Sequence, residues 1–496
     1  MDYDQFLLEI SRDNTIAMEY LALNTKREKK DPLPLGVSEL ECDFITSFIN
    51  RLYTNTLNAD DLRLLGKALY KAIFPGEINT RFEQVCKAVS DEYYAGNRGR
   101  RLRVHITVDE GSKVAAWPLE FLCDDNDTWL ATAQFITLSR SQKSRLDYEP
   151  PVTHPLPLNV LVVISSPRGM GGVLSAKVVE EILKLGREES YPTEEFHSPR
   201  LSSLASRRAK PSEPQVKVTV LGQVDEKVPG ATYLDKPATF AHLRQVLEEK
   251  ESALPDVLHF IGHGQIDSKN KGQLVFVKND GGPDPVYGDD LGNLFPSPNR
   301  MLRLVVLQAC QSAATSTGTG FMSVAAQLFK RNIPGVVAMQ FDIDNAYATL
   351  FAADFYESLA QGHEVDAAVQ RGRVKITSEE TRWSVRHFGT PVLFMLNPYG
   401  IIIPVGIVPP AEPRYTTPPP QRPESAPRSQ QIQEAIDQLK ERAKRFLDEG
   451  KFDEAQESIR FAEKLEKETT TSRVSTASPV FQTDPRLASL DSSSKS

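Results

Sequence analysis

Two short apolar runs, each leading into one reactive side chain, constrain this chain more than any other feature. Val257 to Ile261 continues into Gly262-His263-Gly264, and Leu302 to Leu307 continues into Gln308-Ala309-Cys310. Both runs are rich in β-branched residues, the pattern of strands buried on both faces of a parallel sheet. In open α/β sheets, chemistry gathers at the carboxyl ends of neighbouring strands, so side chains remote in sequence converge there. Gly262 and Gly264 are expected to break the first strand and leave His263 free to reach a cleft. His259, inside the same run between Leu258 and Phe260, reads instead as a hydrogen-bonded core imidazole.

Further strand signals fall at Leu158 to Ile164, Val216 to Leu221, Gln273 to Lys278, Gly335 to Gln340 and Val392 to Leu396, with helical patterns between most of them. Strands alternating with helices imply right-handed crossovers and a mainly parallel sheet, an α/β fold. KGQLVFVKNDGG reads as an antiparallel excursion beside the site. Upstream, residues 1 to about 90 read as helical, with Leu62, Leu65, Leu69 and Ile73 at helical spacing before Pro75. Strands are expected at Leu102 to Val108 and around Phe135 to Leu138. The arginines of RGRRLRV (Arg98, Arg100, Arg101, Arg103) read as the solvated face of the first of these rather than a phosphate-binding patch. SSPRGMGG lacks the third glycine of a dinucleotide-binding loop, Leu174 standing in its place, and no GK[ST] comes after it, so it reads as a connection.

The organisation expected is a helical and mixed α/β part over residues 1–150, then an α/β domain over 151–404 carrying a mobile polar insert at about 190–215. A proline-rich linker comes next, at 405–428. Residues 429–467 then place Ile432, Ile436, Leu439, Ala443 and Phe446 on one helical face, with Ile459, Ala462 and Leu465 after DEGKFDEA. That pattern fits one tetratricopeptide-like (TPR-like) hairpin serving a protein partner or self-association, or equally a plain coiled-coil hairpin, because a lone repeat cannot bury a continuous core. Residues 468–496, rich in Ser and Thr, read as disordered.

With 496 residues and 40% hydrophobic content the chain can bury one large core or two moderate ones. A net charge of −8 gives no general attraction to nucleic acid. No apolar run is long enough for a membrane segment, and the acidic N-terminus lacks the features of a secretion signal, so an intracellular, cytoplasmic protein is expected. Cys42, Cys86, Cys123 and Cys310 show neither CxxC pairing nor zinc-type spacing, so no cofactor, metal or disulfide framework is expected.

At the residues of the two runs the chain resembles the CHAT domain, a caspase-like and separase-like group of cysteine peptidases. The resemblance is carried by DVLHFIGHG, LVVLQACQSA, PGVVAMQFDIDNAYA, FYESLAQGHEVDAAVQRGR and GTPVLFMLNP, with the turn at Trp117-Pro118-Leu119-Glu120 upstream, and spans about residues 60 to 400. It implies a caspase-like arrangement with Cys310 as nucleophile and His263 as its general base or imidazolium partner. The backbone N–H groups of Gly264 and Cys310 would form the oxyanion hole. The chemistry is consistent: a thiol of ordinary pKa about 8.5 is scarcely ionised at neutral pH and needs an imidazole beside it.

In such peptidases the loop after the strand that succeeds the Cys helps form the pocket for the residue preceding the cut. FDID places Asp342 and Asp344 there, which would favour Arg or Lys. Asp342 matches the acidic position of the separase-like pattern, and Asp344 is the better candidate for capping the helix that starts near Asn345. The function expected is proteolysis: a cysteine endopeptidase (thiol protease) acting on protein partners after basic residues, as a regulated effector in defence or cell death. The alternative is a catalytically silent scaffold of the same fold. A Cys-dependent phosphatase would need an Arg shortly after Cys310, and QSAATSTGTG supplies none. Arg207 and Arg208 in the polar insert offer a site for self-processing.

Overall fold

The computed structural model describes residues 2–396 apart from 24–26, 98, 143–157, 174, 185–215, 225, 250–254, 270, 296–301, 310–316, 332, 342, 362 and 380–385, and beyond them only residue 444. The chain divides into two units, 1–413 and 414–496, and the described fold is that of the first. The polar insert, the proline-rich linker, the helical hairpin and the C-terminal tail lie outside the described residues.

The elements of the first unit run β1 (Asp2–Ile10), β2 (Thr15–Leu21), β3 (Glu28–Pro34), α1 (Glu39–Tyr53), α2 (Ala59–Ile73), α3 (Gly76–Tyr94), β4 (Arg100–Val108), β5 (Ile136–Gln142), β6 (Leu158–Ile164) and α4 (Ala176–Lys184). They continue as β7 (Val216–Leu221), β8 (Thr232–Tyr233), α5 (Phe240–Glu249), β9 (Val257–Ile266), β10 (Gly272–Val277), β11 (Pro283–Tyr287) and α6 (Gly288–Gly292). The last are β12 (Leu304–Ala309), α7 (Thr317–Lys330), β13 (Gly335–Met339), α8 (Asn345–Ala360), α9 (Val365–Glu379) and β14 (Pro391–Met395).

The strands form one sheet in the order β3-β2-β1-β4-β5-β14-β13-β12-β9-β6-β7-β8. From β13 to β8 every pairing is parallel, and β14, β5, β4 and β1 form a second parallel set running the other way. The β10–β11 hairpin pairs antiparallel with the end of β9, in agreement with the reading of KGQLVFVKNDGG. The central strands are mostly apolar because helices cover both of their faces; Val257, Phe260, Ile261, Leu304, Val305 and Leu307 are all buried.

Three expectations are corrected. The start of the chain is not helical: Asp2–Ile10, Thr15–Leu21 and Glu28–Pro34 form β1–β3, which extend the sheet beyond β4. The signal is the strict alternation of TIAMEYL, with Ile16, Met18 and Tyr20 buried and their neighbours partly open, a period of two that no helix accommodates. Second, β9 does not stop at Gly262 but runs on to Ile266, because β10 supplies ladder partners for His263 through Ile266. The glycine at 262 answers crowding rather than strand breaking, since a Cβ there would lie 2.9 Å from the Phe260 ring and 3.0 Å from the Ser165 carbonyl oxygen.

Third, the arginines of β4 are not a solvated face. Arg101 and Arg103 are each 2% exposed, because β4 lies inside the sheet between β1 and β5 with the start of α9 against it. Arg103 bonds Asp366 (Nε–Oδ2 2.6 Å) and Glu364 (Nη2–Oε2 3.2 Å) and stacks on the Tyr3 ring at 3.9 Å. A second buried network holds the Trp117–Glu120 turn. Glu120 accepts from Arg140 through both oxygens and from Gln340 Nε2 at 3.0 Å, which ties this turn to the residue after β13.

Removing one partner of a buried pair strands the other charge at about 3–5 kcal/mol. Glu120→Ala should therefore lower stability by about that much. Lys113→Ala, which breaks an exposed, solvent-screened pair with Glu39, should leave stability nearly unchanged. Urea unfolding midpoints of the two variants would check this contrast.

Candidate active site

β9 and β12 are adjacent and parallel, in a register that pairs Val257 with Leu304 and, at the end, Gly262 with Ala309. Side chains alternate across a strand, so His259, Ile261 and His263 share one face, the face on which Gln308 of β12 meets His259. β12 ends at Ala309; Cys310, next in sequence, lies outside the described residues, as does Asp342.

The two histidines of β9 differ in how their nitrogens are used. His259 Nε2 meets Gln308 Oε1 at 3.1 Å and Nδ1 meets the Tyr356 hydroxyl of α8 at 2.9 Å. It is fully buried, and burial pushes its pKa down to about 4. This is a satisfied core imidazole with no nitrogen left for chemistry. His263 Nε2 lies 2.9 Å from the Gly171 carbonyl oxygen, while Nδ1 has no hydrogen-bond partner among the described residues. A carbonyl only accepts, so Nε2 carries the proton and Nδ1 presents its lone pair. Burial lowers the His263 pKa, partly offset by the Gly171 carbonyl, which keeps the resting imidazole neutral and able to take a proton.

Gly171 sits in the loop between β6 and α4, the SSPRGMGG segment whose sequence suggested only a connection. The loop is fixed at several points: Ser165 N–H donates to Ile261 O (2.9 Å), Ser165 Oγ to Val275 O (2.7 Å) and Arg168 N–H to Gly281 O (2.8 Å). Sequence reasoning missed this role. The available signal was position: the loop leaves the carboxyl end of β6, the strand beside β9.

Gly264 pairs with Leu274 of β10. In the same ladder Asp267 N–H bonds Lys271 O at 2.9 Å, and antiparallel pairs alternate between bonded and unbonded. Counting back three pairs makes Gly264–Leu274 an unbonded pair, so the Gly264 N–H points away from β10. Ser165 bonds the Ile261 carbonyl from the β6 side, which by the same alternation turns Gly264 toward the β12 side.

Asp344 is exposed and caps α8, accepting from Ala346 N–H at 2.8 Å. Its neighbours Phe341 and Ile343 are buried. Among the described cysteines, Cys42, Cys86 and Cys123 are free, and burial raises each thiol above its ordinary value, Cys123 to about 12. None of the three is a ready nucleophile. Among the described residues, no group of His, Cys, Asp and Glu is arranged to hold a metal ion.

His259 also makes a prediction. Its pKa is depressed in the fold, so the unfolded chain binds the proton more readily between about 6.5 and about 4. The stability that neutral His259 contributes is complete above about pH 6.5 and is lost as pH falls toward 4, up to about 3 kcal/mol. In pH-dependent unfolding, His259→Gln should flatten that acid slope.

Among known proteins, a family model described as the CHAT domain matches residues 63–418. No curated protein matches the chain. Solved structures similar to it include two crystal structures of the Saccharomyces cerevisiae separase–securin complex. Both are 12% identical, with TM-scores of 0.39 and 0.37, covering 80% and 79% of this chain; the match spans 30% of the separase-complex chain. Another is the complex of Porphyromonas gingivalis RgpB pro- and mature domains, 10% identical with a TM-score of 0.36, covering 74% of this chain and 79% of that one. With a family model matched over most of its length and a large, mostly parallel sheet flanked by helices, this chain belongs to the CHAT domain family.

Proposed function

We propose that the chain is a cysteine endopeptidase in which His263 and Cys310 act as a dyad. The observation that carries this reading is the β9–β12 register. Gly262 and Ala309 face one another, and His263 and Cys310 come next in sequence. Continued by one residue, that register would set the thiol beside the imidazole, on the face shared by His259 and Gln308.

In this mechanism the Cys310 thiol gives its proton to His263 Nδ1 and the thiolate attacks the scissile carbonyl carbon. The resulting oxyanion accepts from the N–H groups of Gly264 and Cys310, a donor pair worth about 3 kcal/mol for each member in comparable sites. Imidazolium His263, steadied by the Gly171 carbonyl, returns the proton to the leaving amine. Water, deprotonated by the same nitrogen, hydrolyses the thioester. The burial that raises the other three described thiols leaves Cys310 as the nucleophile with an imidazole to activate it.

For specificity, Asp342 is assigned to the pocket for a basic residue before the cut. β13 is parallel to β12, so the loop leaving β13 starts at the same edge of the sheet as the end of β12, which supports this assignment. Asp344 is the cap of α8, which makes Asp342 the better candidate of the two for the substrate. A carboxylate meeting a guanidinium in a dry pocket discriminates by several kcal/mol.

With fluorogenic peptides ending in Arg, Cys310→Ala and His263→Ala should each lose roughly a thousandfold or more in kcat/KM with the fold intact. Asp342→Ala should lose at least about a hundredfold on Arg peptides, and Asp344→Ala far less. Full activity in Cys310→Ala would overturn the dyad, and no activity in the wild type on any peptide or protein library would leave a binding scaffold as the better reading.

A further inference from the structure

At the turn between α8 and α9, remote in sequence from the dyad, three basic side chains are buried with nitrogens that have no hydrogen-bond partner among the described residues. Arg101 is 2% exposed with Nε and Nη1 unpartnered; His363 is 4% exposed with both ring nitrogens unpartnered; Arg371 is 8% exposed with Nε unpartnered. Interiors seldom tolerate one such group, because an unmet buried donor forfeits its hydration without compensation and a charged one forfeits more.

The three belong to one locality. Arg101 and Arg103 are two apart on β4 and so share a face. Arg103 is bonded to Glu364 and Asp366, which come directly after His363 in the chain, so Arg101 lies along the same face beside the turn. Arg371 closes the group from α9, donating through Nη1 to Gln361 Oε1 at 2.9 Å on the other side of His363. Both guanidiniums are close enough to depress the His363 pKa, which burial, Arg371 and Arg101 bring down to about 4.

The neighbouring carboxylates do not supply the missing acceptor. Asp366 and Glu364 are committed to Arg103, and Asp366 also accepts from Thr137 Oγ1 at 2.7 Å. Asp354 attracts Arg371 electrostatically without a hydrogen bond to it, and burial raises its pKa to about 6. An acceptor-only group with several oxygens fits this site, because a guanidinium fork and an imidazole N–H are matched donors for it.

We propose that Arg101, His363 and Arg371 form a binding site for a phosphate-type oxyanion, either inorganic phosphate or the phosphoryl group of a small ligand.

Thermal unfolding of the full chain at fixed ionic strength would test this, with inorganic phosphate, AMP or chloride as the added solute. The wild type should be stabilised saturably by phosphate or AMP and not by chloride. Saturation with phosphate would identify the free anion as sufficient, and saturation with AMP alone would identify a phosphoryl ligand. Arg101→Gln and Arg371→Gln should each weaken the apparent affinity at least tenfold. Without added anion, Arg101→Gln should be at least as stable as the wild type, since it removes a buried charge whose Nε and Nη1 have no hydrogen-bond acceptor among the described residues and which lies only over the Tyr93 ring, at 6.0 Å; saturating anion should reverse that order. No saturable response in the wild type would overturn the proposal. So would equal stabilisation of wild type and variants, or an Arg101→Gln chain that is unfolded without any anion, which would make the guanidinium a purely structural group.

Discussion

Everything about the candidate site depends on the pairing of β9 with β12. Parallel strands in fixed register must end side by side, and burial of both faces makes slippage costly, since a one-residue shift would turn His259 and Gln308 to the wrong side. The 3.1 Å contact between those two side chains, with Tyr356 on the other nitrogen of His259, therefore pins the register shortly before His263 and the end of β12. His259 serves the site by holding the strand that carries His263.

The same pairing explains how the loops do their work. β6 lies on the other side of β9, so its connection to α4 passes over the end of β9 and delivers the Gly171 carbonyl to His263. β10 takes up the strand where β6 stops, keeping His263 and Gly264 in extended backbone with alternating peptide directions. A histidine on a free loop would have neither its tautomer nor its orientation set; here both come from the ladder and one carbonyl.

The parallel sheet was legible in the sequence because its strands are apolar runs ending at glycine or polar residues, and the antiparallel β10–β11 hairpin because KNDGG is turn chemistry. His259 was legible as a core imidazole from its place between Leu258 and Phe260, whereas the expectation that His263 lies beyond the strand fails, because β10 extends β9 through it and buries it. Less legible were features that depend on what packs against a segment. The arginines of β4 look solvated until Asp366 and Glu364, remote in sequence, are placed against Arg103. The strand nature of β1–β3 rested on an alternation easily overlooked beside three strong helices, and the role of Gly171 on a backbone atom that no residue type encodes. Asp344 was readable as a cap from its place before Asn345.

The central claim is that His263 activates Cys310, and thiol alkylation measures it without any knowledge of the substrate. The rate of Cys310 modification by iodoacetamide, monitored by mass spectrometry across pH, should show an inflection well below the ordinary thiol value of about 8.5 in the wild type. In His263→Ala the inflection should return to about that value or above. An unperturbed inflection in the wild type, unchanged by loss of the imidazole, would contradict the dyad.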